Sequence, residues 1–175
     1  MPARYGDPKY WDDRYAKCVN SRGELQEYDW YVGWEDIKDV VGAYLSDDGS
    51  DKILVVGCGN SAVSKGLYDM GHTNVTSIDT SDFVIKKLRE KFYGVEGLRH
   101  YVMDVRTMEE FGDESFDLIV DKGCLDSLSC SYQGIEAVKN MLVEVCRVLR
   151  TDGNFIEISY GVPAVRKPLL GTSDL

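Results

Sequence analysis

The chain has 175 residues, 43% hydrophobic and 29% charged, a composition typical of one soluble globular domain whose folding removes about 70% of the unfolded surface. Thirty acids against twenty bases give a net charge of -10, which argues against a nonspecific binder of nucleic acid or anionic membrane, since both repel it. The same charge attracts a basic protein partner or a cationic ligand. No apolar run reaches the length of a membrane span, and Met1 to Asp7 lacks the hydrophobic core of a secretory signal. Five cysteines, odd in number and without Cys-x-x-Cys, indicate a reducing, cytoplasmic setting. With only two histidines no zinc site is expected.

The first fifty residues carry all three tryptophans and six tyrosines. Asp7-Pro8 reads as a helix cap followed by proline at the first helical position. That helix is expected to run through Trp11, Tyr15 and Val19, ending near Asn20-Ser21-Arg22-Gly23. Trp30, Trp34, Ile37, Val41 and Leu45 recur at helical spacing, so a second helix is expected over 30–45. From residue 52 strands and helices alternate. Strands are expected over 53–56, 75–78, 98–103, 116–120 and 155–158. The first, Ile53-Leu54-Val55-Val56, is apolar throughout, as in a strand buried on both faces. Helices are expected over 61–70, 81–92 and 135–149, the last closed by Thr151-Asp152-Gly153. The reading is a doubly wound α/β domain with a parallel sheet and a helical N-terminal extension. Its expected parts are an aromatic-rich extension over 1–50, an α/β core over 51–160 and a short tail over 161–175, together one domain over 1–175.

In such sheets ligands bind beyond the carboxyl ends of the strands. The residues there are Gly57-Cys58-Gly59-Asn60-Ser61, Asp79, Asp104 and Asp121-Lys122-Gly123. Two glycines allow a tight turn and close backbone approach to a ligand. Asp79 lies 22 positions beyond Gly57, near the spacing of a carboxylate that binds ribose hydroxyls. Blander roles compete: Asp79 and Asp104 could cap helices, Lys122 could be solvated, and Cys58 could be a packed thiol. His72 and His100 fall on the opposite side of the sheet and are poor general bases. The glycine loop tolerates a dinucleotide, since Ala62 occupies the third glycine position. Three rim acids repel a pyrophosphate but suit S-adenosylmethionine, a cationic group beside an uncharged nucleoside.

Val55-Val56-Gly57-Cys58-Gly59-Asn60-Ser61, Ser77-Ile78-Asp79, Met103-Asp104-Val105-Arg106 and the run from Phe116 to Leu128 resemble the class I S-adenosylmethionine-dependent methyltransferases. Tyr10-Trp11-Asp12-Asp13-Arg14-Tyr15, Tyr28-Asp29-Trp30 and Asp121-Lys122-Gly123-Cys124-Leu125-Asp126 sharpen the likeness to the methyltransferase-like proteins that modify lysines of translation elongation factor one-alpha. The resemblance, over residues 5–165, implies that Gly57 and Gly59 pass beneath the methionine part of the cofactor. Asp79 would bind the ribose, with Thr80 beside the adenine. Asp104 would accept from the adenine amino group, and Val105 would pack next to it. Trp11, Tyr15 and Tyr28 would fold over the cofactor. Asp121 and Lys122 would line the wall near the reactive methyl, with Asp121 or Asp126 as candidate proton acceptors. Cys124 stands where the subgroup commonly has threonine.

The implied reaction moves a methyl from S-adenosylmethionine to a neutral lysine amine, leaving S-adenosylhomocysteine. A small-molecule methyltransferase, a cofactor-binding interaction module and an NAD-dependent oxidoreductase are the competing readings. For Trp11 a cofactor contact and a packed helix face weigh about equally; for Trp34 packing weighs more. The resembled fold ends in a hairpin of strands six and seven. Residues 160–175, with Pro163 and Pro168, are too few for it. A shortened form is therefore expected, with the fifth strand an exposed edge open to self-association.

Overall fold

In the computed structural model, residues 5–171 are described. The ends of the domain expected over 1–175, including the first four residues of the Met1 to Asp7 stretch, lie outside them. The elements in chain order are α1 (Pro8–Tyr15), α2 (Trp34–Gly42), β1 (Ile53–Val56), α3 (Val63–Asp69), β2 (Val75–Asp79), α4 (Asp82–Lys91), β3 (Leu98–Val102), β4 (Phe116–Lys122), α5 (Cys124–Ser129), α6 (Gly134–Val148), β5 (Leu149–Ile158) and α7 (Pro163–Leu170).

The five strands form one parallel sheet in the order β3-β2-β1-β4-β5. The order reverses between β1 and β4, which opens a crevice at their carboxyl ends. Every residue of β1 is buried, because helices cover both sheet faces. Ile53 and Val55 point toward α2, α3 and α4, meeting Ile37, Leu67 and Val84. Leu54 and Val56 point the other way, toward Leu125 of α5 and Met141 and Val145 of α6. Each such side chain, fully withdrawn from water, contributes about 1.5–3 kcal/mol. No helix among the described residues is long and apolar enough to cross a membrane.

Local chemistry sets the helix starts. The Asp7 side chain accepts from the Lys9 N–H at 3.0 Å, with Pro8 inside the first turn. Ser81 accepts from the Val84 N–H at 3.2 Å and caps α4.

Several boundaries differ from the sequence reading. α1 stops at Tyr15; Val19 instead bridges Leu25 in an antiparallel contact. α2 begins at Trp34, because Gly33 is extended and its N–H is held by Asp36 at 2.9 Å. Trp30 is therefore in the preceding loop. Thr151-Asp152-Gly153 does not close α6 but belongs to β5. Phe116 pairs with Leu149 and Leu118 with Asn154, so residues 150–153 bulge outward opposite Asp117. An edge strand tolerates this, since one side needs no partner. Residues 163–170, expected as tail, form α7, with Pro163 in its first turn where a missing N–H costs nothing. The short α5 has no counterpart in the sequence reading.

Candidate functional site

A cavity of about 400 Å³ opens at the carboxyl ends of β1, β2 and β4. Its floor is the loop after β1. Gly57 and Gly59 adopt φ of 57° and 50°, a left-handed conformation that favours glycine. A Cβ on Gly57 would lie 2.7 Å from Cys124 Cβ, and one on Gly59 would lie 2.6 Å from the Tyr15 hydroxyl. The loop therefore has room only for bare backbone.

Asp79 ends β2 and faces the cavity. Its Oδ2 accepts from the Gly59 N–H and its Oδ1 from the Ser81 N–H, both at 2.9 Å. Burial raises its pKa to about 6 against those two bonds, with a further push from Asp12. Each oxygen keeps a lone pair for a hydroxyl donor. Thr80 stands beside it on the wall, and Asp104 and Val105 follow β3 onto the same wall. Asp104 does not cap a helix; it turns back on Arg106, accepting from its N–H at 2.9 Å and from its guanidinium at 2.5 Å. Burial alone would raise the Asp104 pKa, but the Arg106 bonds outweigh it and the net shift is downward.

The aromatic extension covers the cavity. Trp11 and Tyr15, one turn apart on α1, stack at 5.7 Å. Both line the cavity, and Tyr15 is also buried in the core, so packing and site roles coincide. Trp34 is core alone. Tyr28 and Trp30 lie over the mouth, with the Arg14 guanidinium 5.1 Å and 4.8 Å from their ring centres. This segment is strapped to the glycine loop. Asn60 donates to the Gln26 carbonyl at 2.7 Å, and the Tyr28 N–H donates to Asn60 O at 3.2 Å. Asp29 accepts from Ser61 and pairs with Lys122 at 2.8 Å. Lys122 also donates to the Trp30 carbonyl at 3.2 Å. It is thus a buried strut between sheet and cover rather than a solvated loop lysine.

Asp121 corrects the sequence reading. It is fully buried behind the cavity wall and does not line the cavity. Its two oxygens accept from the Cys124 and Leu125 N–H groups at 2.7 Å and 2.9 Å, holding the start of α5. Burial raises its pKa to about 7, aided by Glu157 and Asp126 and opposed by those bonds. Asp126 does line the mouth, and four donors surround it. They are the Tyr31 hydroxyl at 2.8 Å, Ser159 Oγ at 2.5 Å, the Tyr160 N–H at 2.8 Å and Arg166 Nη2 at 2.5 Å. Burial works against ionisation of Asp126, yet these donors win and its pKa falls.

Sequence reasoning missed Tyr31, Arg106, Tyr160 and Arg166 as cavity residues, and Asp29 as the anchor of the cover. Tyr28-Asp29-Trp30 was visible as a motif, but only proximity to Lys122 gives Asp29 its role. His100 stacks on Phe92 at 5.6 Å away from the cavity, and burial lowers its pKa to about 4. All five cysteines are free thiols.

Residues 54–156 match a family model described as a methyltransferase domain. The chain belongs to this methyltransferase domain family. It is 35% identical over 170 residues to the EEF1A lysine methyltransferase 4 of Bos taurus, covering 93% of this chain and 64% of that protein. It is 32% identical to the eEF1A lysine and N-terminal methyltransferase of Homo sapiens, covering 95% of this chain and 23% of that one. The methyltransferase domain therefore spans less than two thirds of these relatives. Among solved structures it resembles an S-adenosylmethionine-dependent methyltransferase from Methanosarcina mazei, with a TM-score of 0.62, 24% identity and coverage of 81% and 63% of the two chains. It also resembles the PH0226 protein of Pyrococcus horikoshii, with a TM-score of 0.60, 27% identity and coverage of 71% and 55%.

The residues of this methyltransferase domain fit the cofactor expected from the sequence. The bare glycine loop and the fixed Asp79 suit a nucleoside. The cations facing the cavity do not suit a pyrophosphate, because each already has a carboxylate: Lys122 with Asp29, Arg106 with Asp104 and Arg166 with Asp126.

Proposed function

We propose that this chain is an S-adenosylmethionine-dependent methyltransferase that modifies a lysine side chain of a basic protein, with translation elongation factor one-alpha the first substrate to test. The observation that carries the reading is one aromatic-covered cavity with two acidic ends. Asp79 sits beside the glycine loop at one end, and Asp126, held by the Tyr31 hydroxyl and the Tyr160 N–H, sits at the other. The bovine and human relatives, named for lysine methylation of that factor, support the substrate class.

When bound, the cofactor supplies a methyl already activated on a sulfonium. In this reading Asp79 accepts the ribose hydroxyls while Gly59 and Ser81 hold its carboxylate still. Thr80, Asp104 and Val105 border the adenine. Gly57 and Gly59 let the backbone run beneath the methionine part. Trp11, Tyr15 and Tyr28 exclude water and offer ring faces to positive charge. Lys122 keeps the cover in place through its contacts with Asp29 and the Trp30 carbonyl. Asp121 lies behind the wall, so Asp126 is the carboxylate that meets the incoming amine. Transfer requires the neutral amine, so the lysine ammonium received at Asp126 gives up its proton, to that carboxylate or to water, before the methyl moves. Alignment of nucleophile and methyl supplies most of the rate.

The net charge of -10 suits a basic protein partner. The free thiols fit the reducing cytoplasm. β5, at the edge of the described sheet, is the surface where self-association is to be sought, by sedimentation. The test of the main reading is incubation with labelled S-adenosylmethionine and purified elongation factor one-alpha, followed by peptide mass spectrometry. Label on a lysine is the expected result. Cofactor binding without label on any protein of a whole lysate overturns it.

A further inference from the structure

Arg166 is a feature of the cavity mouth that methyl transfer does not need. It projects from α7, which buries none of its residues. Its Nη2 lies 2.5 Å from Asp126 Oδ1, and its Nε lies 2.9 Å from Ser159 Oγ. The guanidinium is therefore a tie from α7 to α5 and to the residue that follows β5.

The same guanidinium is asked to serve two carboxylates and does not reach both. Glu157 Oε1 is 3.7 Å from Arg166 Nε, beyond hydrogen-bond distance. That oxygen is buried and has no hydrogen-bond partner among the described residues, on a side chain only 6% exposed. A buried carboxylate oxygen without a donor is costly. The site is short of one donor, and two carboxylates share the single Arg166 guanidinium.

Its walls suit a particular cation. Tyr31 and Tyr160 stand side by side at the mouth, ring centres 6.0 Å apart and planes at 34°, and both are exposed to solvent. Flat aromatic faces beside a carboxylate accept an alkyl chain and its terminal ammonium together. A guanidinium is a wide planar fork. An ammonium is a compact group with three donors, able to turn toward Asp126 and Glu157 at once.

We propose that Asp126, Glu157, Tyr31 and Tyr160 form a subsite for a primary alkylammonium, that Arg166 is its internal occupant, and that α7 moves aside when the ammonium enters. Identifying that ammonium with a substrate lysine rests on the methyltransferase reading above; the cation subsite itself does not. Arg166 thereby acts as a built-in competitor, so only a ligand with further contacts outside the mouth displaces it efficiently.

The test titrates n-butylammonium chloride into the full chain at fixed ionic strength, with S-adenosylhomocysteine saturating. Arg166→Ala is expected to bind n-butylammonium at least fivefold more tightly than the parent chain. Adding Glu157→Gln is expected to erase that gain. S-adenosylhomocysteine affinity should stay within twofold throughout, which shows an intact fold. Binding by Arg166→Ala that is equal to or weaker than the parent's overturns the proposal. A second measurement needs no variant: deuterium uptake at the amides of residues 164–170 should rise when n-butylammonium saturates the parent chain. Unchanged uptake at saturation overturns the displacement of α7. Absence of methyl transfer to any protein, with the n-butylammonium results as expected, would remove the lysine assignment and leave the cation subsite standing.

Discussion

The Asp79 carboxylate accepts the Gly59 N–H at 2.9 Å, so the end of β2 holds the loop that follows β1. One side chain thus fixes the floor of the cavity and offers lone pairs to a ligand. Asp79→Ala is expected to weaken S-adenosylmethionine binding at least tenfold, about 1.4 kcal/mol, measured by calorimetry. Unchanged affinity contradicts the ribose assignment.

Asp121 makes the cofactor-free fold sensitive to pH near neutrality. In the folded chain it takes up a proton near pH 7; in the unfolded chain it does so only in the usual carboxylate range. The folded state binds more protons across that window, so lowering the pH from 8 to 6.5 stabilises it. The melting temperature should rise by about 2–4 °C, equivalent to about 1 kcal/mol for a chain of this size. Asp121→Asn, neutral throughout, should flatten the slope. Asp79, at about 6, acts in the same sense at lower pH. His100 acts oppositely below about 6.5, since burial holds its folded pKa near 4. A slope unaltered in Asp121→Asn contradicts the assignment.

The pairing of Lys122 with Asp29 predicts a local effect on the cover. Lys122→Met should cost about 3 kcal/mol, because it leaves a half-buried carboxylate without its cation. Deuterium uptake should increase over residues 26–33 more than over α6. Uniform loosening of the whole chain would show that Lys122 is a core residue and not a strut.

Two tryptophans should behave differently. Trp34→Ala opens a hole between α2 and α3 and should destabilise by about 3–5 kcal/mol, with cofactor affinity per folded molecule unchanged. Trp11→Ala should lower cofactor affinity about tenfold at a smaller cost in stability. Calorimetry beside thermal melts separates the two, and equal loss of affinity would merge their roles.

The rim of the sheet was legible because strand ends are local. Apolar runs such as Ile53-Leu54-Val55-Val56 mark the strands, and the next polar residue falls at the crevice. That rule located Asp79 and Asp104. It misled for Asp121, because a six-residue helix, α5, starts directly after β4 and consumes its carboxylate. Too few turns left no periodicity to read. The Asp126 cluster was hidden for another reason: Tyr31, 95 residues earlier, and Arg166, 40 residues later, meet it only after folding. Thr151-Asp152-Gly153 was misread because a polar, glycine-ending triplet is equally suited to a helix stop and to a bulge at a sheet edge.

Ser81 touches both halves of the molecule. Its N–H donates to Asp79 at 2.9 Å, and its hydroxyl donates to Asp12 of α1 at 2.5 Å. Asp12 also takes the Phe83 N–H at 3.2 Å. The aromatic cover is thus moored to the start of α4, at the same residue that holds the Asp79 carboxylate. A ligand that draws charge from Asp79 eases its repulsion with Asp12 and firms this mooring. Occupancy of the nucleoside end is therefore expected to firm the roof, and slower proteolysis within residues 5–33 on adding cofactor would register it.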